Sequence, residues 1–169
     1  VRYATVRFSM PEWITELWLE QYGKETTECM LEASLQDNAV TVRINENLLP
    51  EQRDELPKRW QEAGACVNQH SYLPYAYIIS GGYGIQGLYG YREGLFNVQD
   101  VSSMLVGECA DIAKGNVVID VCAAPGGKTI HAATKLKNSG VVHACDVSQY
   151  KVDKIRENVS RMGTDNIRI

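Results

Sequence analysis

Residues 122–129 read Cys-Ala-Ala-Pro-Gly-Gly-Lys-Thr, directly after the apolar run Asn116–Val121. A turn of small residues at the end of such a run lets an anionic or nucleotide-like group come close to the backbone. Two ligand classes compete for it. The phosphate loop of a nucleoside triphosphatase needs G-x-x-x-x-G-K-[ST], where the first glycine lets the loop wrap the phosphates. Counting back from Gly127-Lys128-Thr129, that position is Cys122, whose Cβ and thiol would crowd the wrap. No second strand with the metal-binding carboxylate of that class is evident either.

The other ligand class is a nucleoside-bearing cofactor, as in Rossmann-like methyltransferases. Ala123, Ala124, Gly126 and Gly127 are small enough for close backbone approach, and the helix that follows presents free N–H groups. Such a site needs a carboxylate at the end of the second strand, to accept from both ribose hydroxyls. Asp146, in "HACDVS", lies 19 residues after Gly127, close to the spacing of about 20 expected. Its bland alternative is a helix cap, but Ser148 can serve as that. Asp120 sits near the end of the first strand, where a carboxylate needs a partner. It either organises the loop or approaches the amino-acid end of the cofactor. Lys128 opens a helix against the dipole. That favours a ligand or an acidic partner over a solvated surface lysine.

The elements that must position these residues follow from periodicity. Residues 116–122, 141–147 and the start at "NIRI" read as strands, alternating with helices over about 128–137 and 148–162. This β-α-β-α-β order begins a doubly wound sheet. "NVVIDVC" is continuously apolar, as buried parallel strands are. Upstream, "LFNVQ" reads as a short strand, and Asp100 or Ser102 can cap a helix over about 101–112.

The first half reads differently. Helices are expected over 11–22 and 24–36, separated by Gly23. Trp13, Leu17 and Trp18 share one stripe, and Cys29, Met30, Ala33 and Ser34 or Leu35 face inward. Strands are expected over 39–45, 65–70 and 75–80, with a helix over 51–64 that Pro57 should shorten or kink. This is an α+β module resembling part of an RNA-recognition sandwich. Residues 81–94 hold six glycines and three tyrosines, too many glycines for a regular helix. Tyr83, Tyr89 and Tyr91 either stack on bases or, by the favoured reading, pack the two halves together.

Composition narrows the partners. The 169 residues carry a net charge of −4. Residues 1–100 hold 8 Lys/Arg against 14 Asp/Glu, and residues 101–169 hold 9 against 7. An RNA surface must therefore be local or lie elsewhere. No apolar run reaches the roughly 18 residues of a membrane span, and no signal-peptide core stands at the N-terminus. The five scattered cysteines have no zinc-ligand spacing and read as reduced cytoplasmic thiols.

"DVCAAPGGKT" resembles the first motif of the Sun/Fmu family of RNA cytosine-5 methyltransferases. "FNVQDVSSM" (96–104) resembles the stretch before that family's catalytic domain, and "CDVS" (145–148) its second cofactor motif. The likeness is strong over 91–169 and looser over 1–90. Within the family it points to the bacterial members that act on small-subunit ribosomal RNA. It implies a fold: an α+β RNA-recognition-like accessory domain (1–94), then the first half of a Rossmann-like methyltransferase sheet (95–169). It implies S-adenosyl-L-methionine, bound by Cys122, Ala123, Ala124, Pro125, Gly126, Gly127, Lys128 and Asp146. It also implies an RNA partner and no membrane. In the family a cysteine thiolate adds to C6 of cytosine so that C5 can take the methyl group, and a second cysteine helps release the product.

None of the five cysteines here matches either family position. Cys122 lies in the cofactor loop, and Cys145 reads as a small buried strand residue. The expectation is a fragment without its own catalytic residues, inactive alone. Its first strand should form a sheet edge over 117–121 that pairs with a second copy, or residues 115–169 should be partly disordered. The alternatives are a non-catalytic RNA-binding module with a vestigial loop, or a methyltransferase for small molecules or proteins.

Overall fold

The computed structural model describes residues 1–36, 39–81 and 84–169. Two compact units run Val1–Asn38 and Ala39–Ile169. The first is helical. A short helix α1 (Arg2–Phe8) ends at Ser9 in the left-handed region, and α2 spans Glu12–Ser34. The break expected at Gly23 is present, with φ 74° and ψ 175° inside α2. The inward face differs from the expected one. Thr15, Thr27 and Leu31 are buried, whereas Trp13, Leu17, Cys29, Ala33, Ser34 and Leu35 are exposed. Apolar residues fall on several sides of this helix, so period alone does not select the buried stripe.

The second unit contains two sheets. Strands β1 (Val40–Ile44), β2 (Cys66–Gln69), β3 (Ala76–Ser80) and β4 (Phe96–Val98) form an antiparallel sheet in the order β2-β3-β1-β4. Helix α3 (Pro50–Glu62) packs with it, and Trp60 is enclosed edge-on by Tyr77 and Phe96. The helix continues through Pro57 for five further residues, so the expected shortening does not occur. The Gln52 side chain accepts from the Leu49 N–H at 3.1 Å and secures the first turn. Strand β4, grouped from sequence with the second half, pairs with β1: Val42 opposite Val98, Arg43 opposite Asn97, Ile44 opposite Phe96.

Residues 84–94 form an irregular connection with one 3₁₀ turn, Ile85–Gly87. Tyr91 packs against Phe96, and the Arg161 guanidinium stacks on its ring at 4.5 Å. Tyr89 lies under Arg59 at the same distance. Packing thus occupies both tyrosines; Tyr83 lies outside the described residues.

The second sheet is parallel, in the order β5 (Val117–Asp120), β6 (Val141–Ala144), β7 (Ile167–Arg168). Helices α4 (Val101–Cys109), α5 (Gly127–Lys135) and α6 (Gln149–Met162) connect it. Ile130, Ala133 and Leu136 of the α5 region and Ile155 and Met162 of α6 bury one face against Val142, Ala144 and Ile167. The other face stays open. Val117, Ile119 and Val121 are 64%, 65% and 69% exposed, which corrects the reading of a strand buried on both sides. Cys145 is exposed as well, against expectation. Side chains alternate along β6, and Val142 and Ala144 take the covered face.

Candidate functional site

The loop after β5 is held at both ends by strand hydrogen bonds. The Cys145 N–H donates to the Asp120 carbonyl at 2.8 Å, and the Ala123 N–H donates to the Cys145 carbonyl at 3.0 Å. The chain then turns sharply. The Ala124–Pro125 peptide is cis, and Gly126 adopts φ 108°, a conformation open in practice only to glycine. The Gly126 N–H closes the turn on the Ala123 carbonyl at 2.7 Å. From the far side, Asn158 of α6 donates its side-chain N–H to the Pro125 carbonyl at 2.9 Å.

Both carboxylates foreseen from sequence meet this loop. Asp120 accepts from the Cys122 N–H at 3.3 Å and from the Thr129 hydroxyl at 2.7 Å. Of its two open roles, organising the loop is the one with contacts. Thr129 is thereby turned back onto the chain's own strand, away from the phosphate-side role a triphosphatase would give it. Asp146 accepts from the Ala124 N–H at 3.0 Å and from the Val147 N–H at 2.8 Å, with the Lys151 ammonium at 3.4 Å. The Ala124 N–H is the largest cause holding its carboxyl below the usual range. The capping role goes to Ser148, whose hydroxyl accepts from the Lys151 N–H at 3.4 Å.

A cavity of about 220 Å³ lies against the loop. Cys122, Ala123, Ala124, Pro125, Gly127 and Lys128 line it; Gly126 shapes the turn, and Asp146 braces the loop from β6. The Lys128 ammonium has no carboxylate within 4 Å among the described residues, so the acidic protein partner is not found. Four residues not foreseen as part of the site also line the wall: Val98, and the three polar residues Gln99, Asp100 and Ser103. Asp100 occupies the N-cap position of α4 without a side-chain capping bond. The only sequence signal for these three was their place in the family-like stretch 96–104.

A second polar cluster stands close by. Arg43 and His131 are fully buried, Lys135 pairs with Glu108 at 2.7 Å, and Tyr75 donates to the same carboxylate. Burial, with Arg43 and Lys135 nearby, pushes His131 down to about 3. Its 3.6 Å approach to Glu108 is therefore not an ion pair at neutral pH. Gly107 faces this ring so closely that a Cβ would lie 2.6 Å from its Nδ1.

The chain is similar to known proteins over both of its parts. Residues 109–169 match the family model of the 16S rRNA methyltransferase RsmB/F, and residues 10–86 match that of the RsmF/B-like ferredoxin-like domain. A probable ribosomal RNA small subunit methyltransferase B of Bacillus subtilis is 34% identical over 163 residues, which are 96% of this chain and 36% of the relative. A tRNA (cytosine(72)-C(5))-methyltransferase of Pyrococcus horikoshii is 37% identical over 82 residues, 48% of this chain and 21% of its own. The solved structure of a methyltransferase homolog protein from Pyrococcus horikoshii superposes with a TM-score of 0.68 at 25% identity, over 98% of this chain and 53% of that one. The chain thus spans little more than a third of the curated relatives it matches along most of its length. A ferredoxin-like match over residues 10–86 precedes a methyltransferase match over residues 109–169, and the chain belongs to the RsmB/F methyltransferase family.

Proposed function

We propose that this chain is part of an S-adenosyl-L-methionine-dependent RNA methyltransferase acting on C5 of cytosine in ribosomal RNA, in the cytoplasm. Residues 1–94, completed by β4 (Phe96–Val98), form its RNA-recognition-like accessory domain, and the rest of 95–169 the first half of its methyltransferase domain. The hydrogen bond from the Ala124 N–H to Asp146 carries this reading. It joins the small-residue loop to the second-strand carboxylate beside one cavity. Oδ2 of Asp146 accepts only the Ala124 N–H and keeps a lone pair for a ribose hydroxyl, while Oδ1 accepts from the Val147 N–H and faces the Lys151 ammonium. The residues Cys122–Lys128 offer close backbone approach, and Lys128 a free charge. When bound, the cofactor supplies a methyl group on a sulfonium.

Among the described residues no helix is long and apolar enough to cross a membrane. None of the five cysteines is assigned the attacking thiolate. Cys122 lies in the cofactor loop and Cys145 beside it, Cys29 and Cys66 lie on α2 and β2, and Cys109 ends α4. The catalytic cysteines belong outside residues 1–169, and this chain alone is inactive.

Calorimetric titration with S-adenosylmethionine and S-adenosylhomocysteine tests the cofactor site. Wild type binds, and Asp146→Ala loses about tenfold or more in affinity, the scale of a charged hydrogen bond. Equal affinity of the two proteins would refute the assignment of Asp146. The alternative, an RNA-binding module with a vestigial loop, expects no heat with either nucleoside.

We also infer that this chain self-associates through β5. That strand pairs with β6 on one side only among the described residues, and the open face beside its unpaired edge carries the exposed Val117 and Ile119, with Val121 just after the strand. An unpaired strand edge beside exposed apolar side chains pairs readily with another strand.

A further inference from the structure

Arg43 stands within β1 and is fully buried. Burial brings its pKa down to about 10. Its nearest carboxylate, Glu46, is 3.9 Å from Nη1, and neither terminal nitrogen has a hydrogen-bond partner among the described residues. A guanidinium held this way is costly. Its one side-chain hydrogen bond among the described residues runs from Nε–H to Gln99 Oε1, at 2.9 Å.

That contact settles the orientation of the amide. A guanidinium has donors only, so the Gln99 oxygen must face Arg43 and the NH2 group must point elsewhere. The Gln99 backbone is tied to the same strand, its N–H donating to the Thr41 carbonyl at 3.1 Å. Gln99 is 6% exposed, and its NH2 has no acceptor among the described residues. The residue forms part of the cavity wall, opposite Gly127, where a Cβ would lie 3.9 Å from its Cγ and Cδ. Lys128 and Asp100 line the same cavity without ion-pair partners among the described residues. An oriented amide donor and a free ammonium suit a carboxylate, and the free Asp100 suits an ammonium. Together they match the two ends of an amino acid.

We propose that Gln99 donates to the carboxylate at the amino-acid end of the bound nucleoside, and that Arg43 is the positioning residue that fixes its amide. The proposal rests on the cofactor reading above. It gives the antiparallel sheet a part in cofactor binding, because β1 supplies Arg43 and Gln99 directly follows β4 and is tied to β1 through the Thr41 carbonyl.

Gln99→Glu is the decisive variant. It keeps an oxygen for Arg43 and replaces the NH2 with a second oxygen. Wild type and variant are titrated with S-adenosylhomocysteine and with 5′-methylthioadenosine, which lacks the amino-acid end, while the thermal midpoint is recorded. The expected result is a loss of tenfold or more for S-adenosylhomocysteine, none for methylthioadenosine, and a midpoint unchanged or raised by the new ion pair with Arg43. Arg43→Lys, which keeps the charge but not the planar Nε donor, lowers the same affinity ratio. Unchanged S-adenosylhomocysteine affinity in Gln99→Glu, or equal losses for both compounds, would overturn the proposal. So would a lowered midpoint, since the NH2 would then serve a protein acceptor. If wild type binds neither nucleoside, the cofactor reading fails, and the midpoint still judges the orientation of Gln99.

Discussion

The Asp146 carboxylate, at the end of β6, accepts a 3.0 Å hydrogen bond from the Ala124 N–H inside the loop that follows β5. Twenty-two residues separate the two positions. The contact means that the acid foreseen as a ribose ligand also holds the loop's shape. Removing it acts on the protein before any ligand arrives.

Amide exchange at Ala124 measures this directly. Asp146→Ala should accelerate it by about tenfold or more, as loss of a charged acceptor frees the N–H. Asp146→Asn keeps an oxygen for Ala124 and should accelerate it less. Identical protection in all three proteins would show that the strand bonds at Ala123 and Cys145 suffice to hold the loop.

Buried His131 should make stability depend on acid. Its folded pKa, about 3, lies below the ordinary 6.5, so the unfolded chain binds the proton first. The stabilisation is complete above pH 6.5 and is lost as pH falls toward 3, by up to about 1.4 kcal/mol per pH unit. Arg43 and Lys135 oppose protonation, while Glu108 favours it. Burial pushes Glu108 up, but hydrogen bonds from Lys135 and Tyr75 hold it below its ordinary value, so it titrates at lower pH. Urea unfolding between pH 6.5 and 5 therefore isolates the histidine. His131→Gln should flatten the slope there; an unchanged slope would assign it to other groups.

Glycine positions differ in what they must accommodate. Gly94 has φ +70°, and a Cβ on it would lie 1.8 Å from the Arg161 carbonyl oxygen. Gly64 has φ +85° with nothing within 4 Å. Gly64→Ala should cost only the left-handed backbone penalty, about 1–2 kcal/mol. Gly94→Ala should cost clearly more, since the end of α6 must move and the Arg161 bonds to Tyr91, Phe96 and Asn97 move with it. Chemical denaturation of both variants checks the order; equal costs would mean that α6 yields freely.

Sedimentation tests the open strand. Wild type should show a concentration-dependent dimer, and Ile119→Lys, which puts a charge on the open face of the edge strand, should remain monomeric. A monomeric wild type across the concentration range, with protected amides along 117–120, would remove the self-association proposal.

Where residues close in the chain decide the outcome, the sequence is informative. Small residues and Gly126 specify the turn, the spacing from Gly127 to Asp146 follows from one helix between two neighbouring strands, and Ser148 caps α6 as its type suggests. Short elements are harder to read. Helix α1 has seven residues with Tyr3 and Val6 exposed, too few and too little buried for a periodic signal. The buried face of α2 departs from the periodic one because several of its sides are apolar.

The sequence by itself therefore determined the order of elements, the cofactor-type loop and the carboxylate that answers it, because turns, caps and periodicity act within a few residues. Tertiary structure alone decided which distant segments meet. The pairing of β4 with β1 brings Gln99 to Arg43, 56 residues away. Packing of α4 on α5 buries His131 against Gly107, and the open side of the parallel sheet leaves Cys145 exposed. Each depends on which surfaces bury together, a choice made by the whole chain and not encoded in any local pattern.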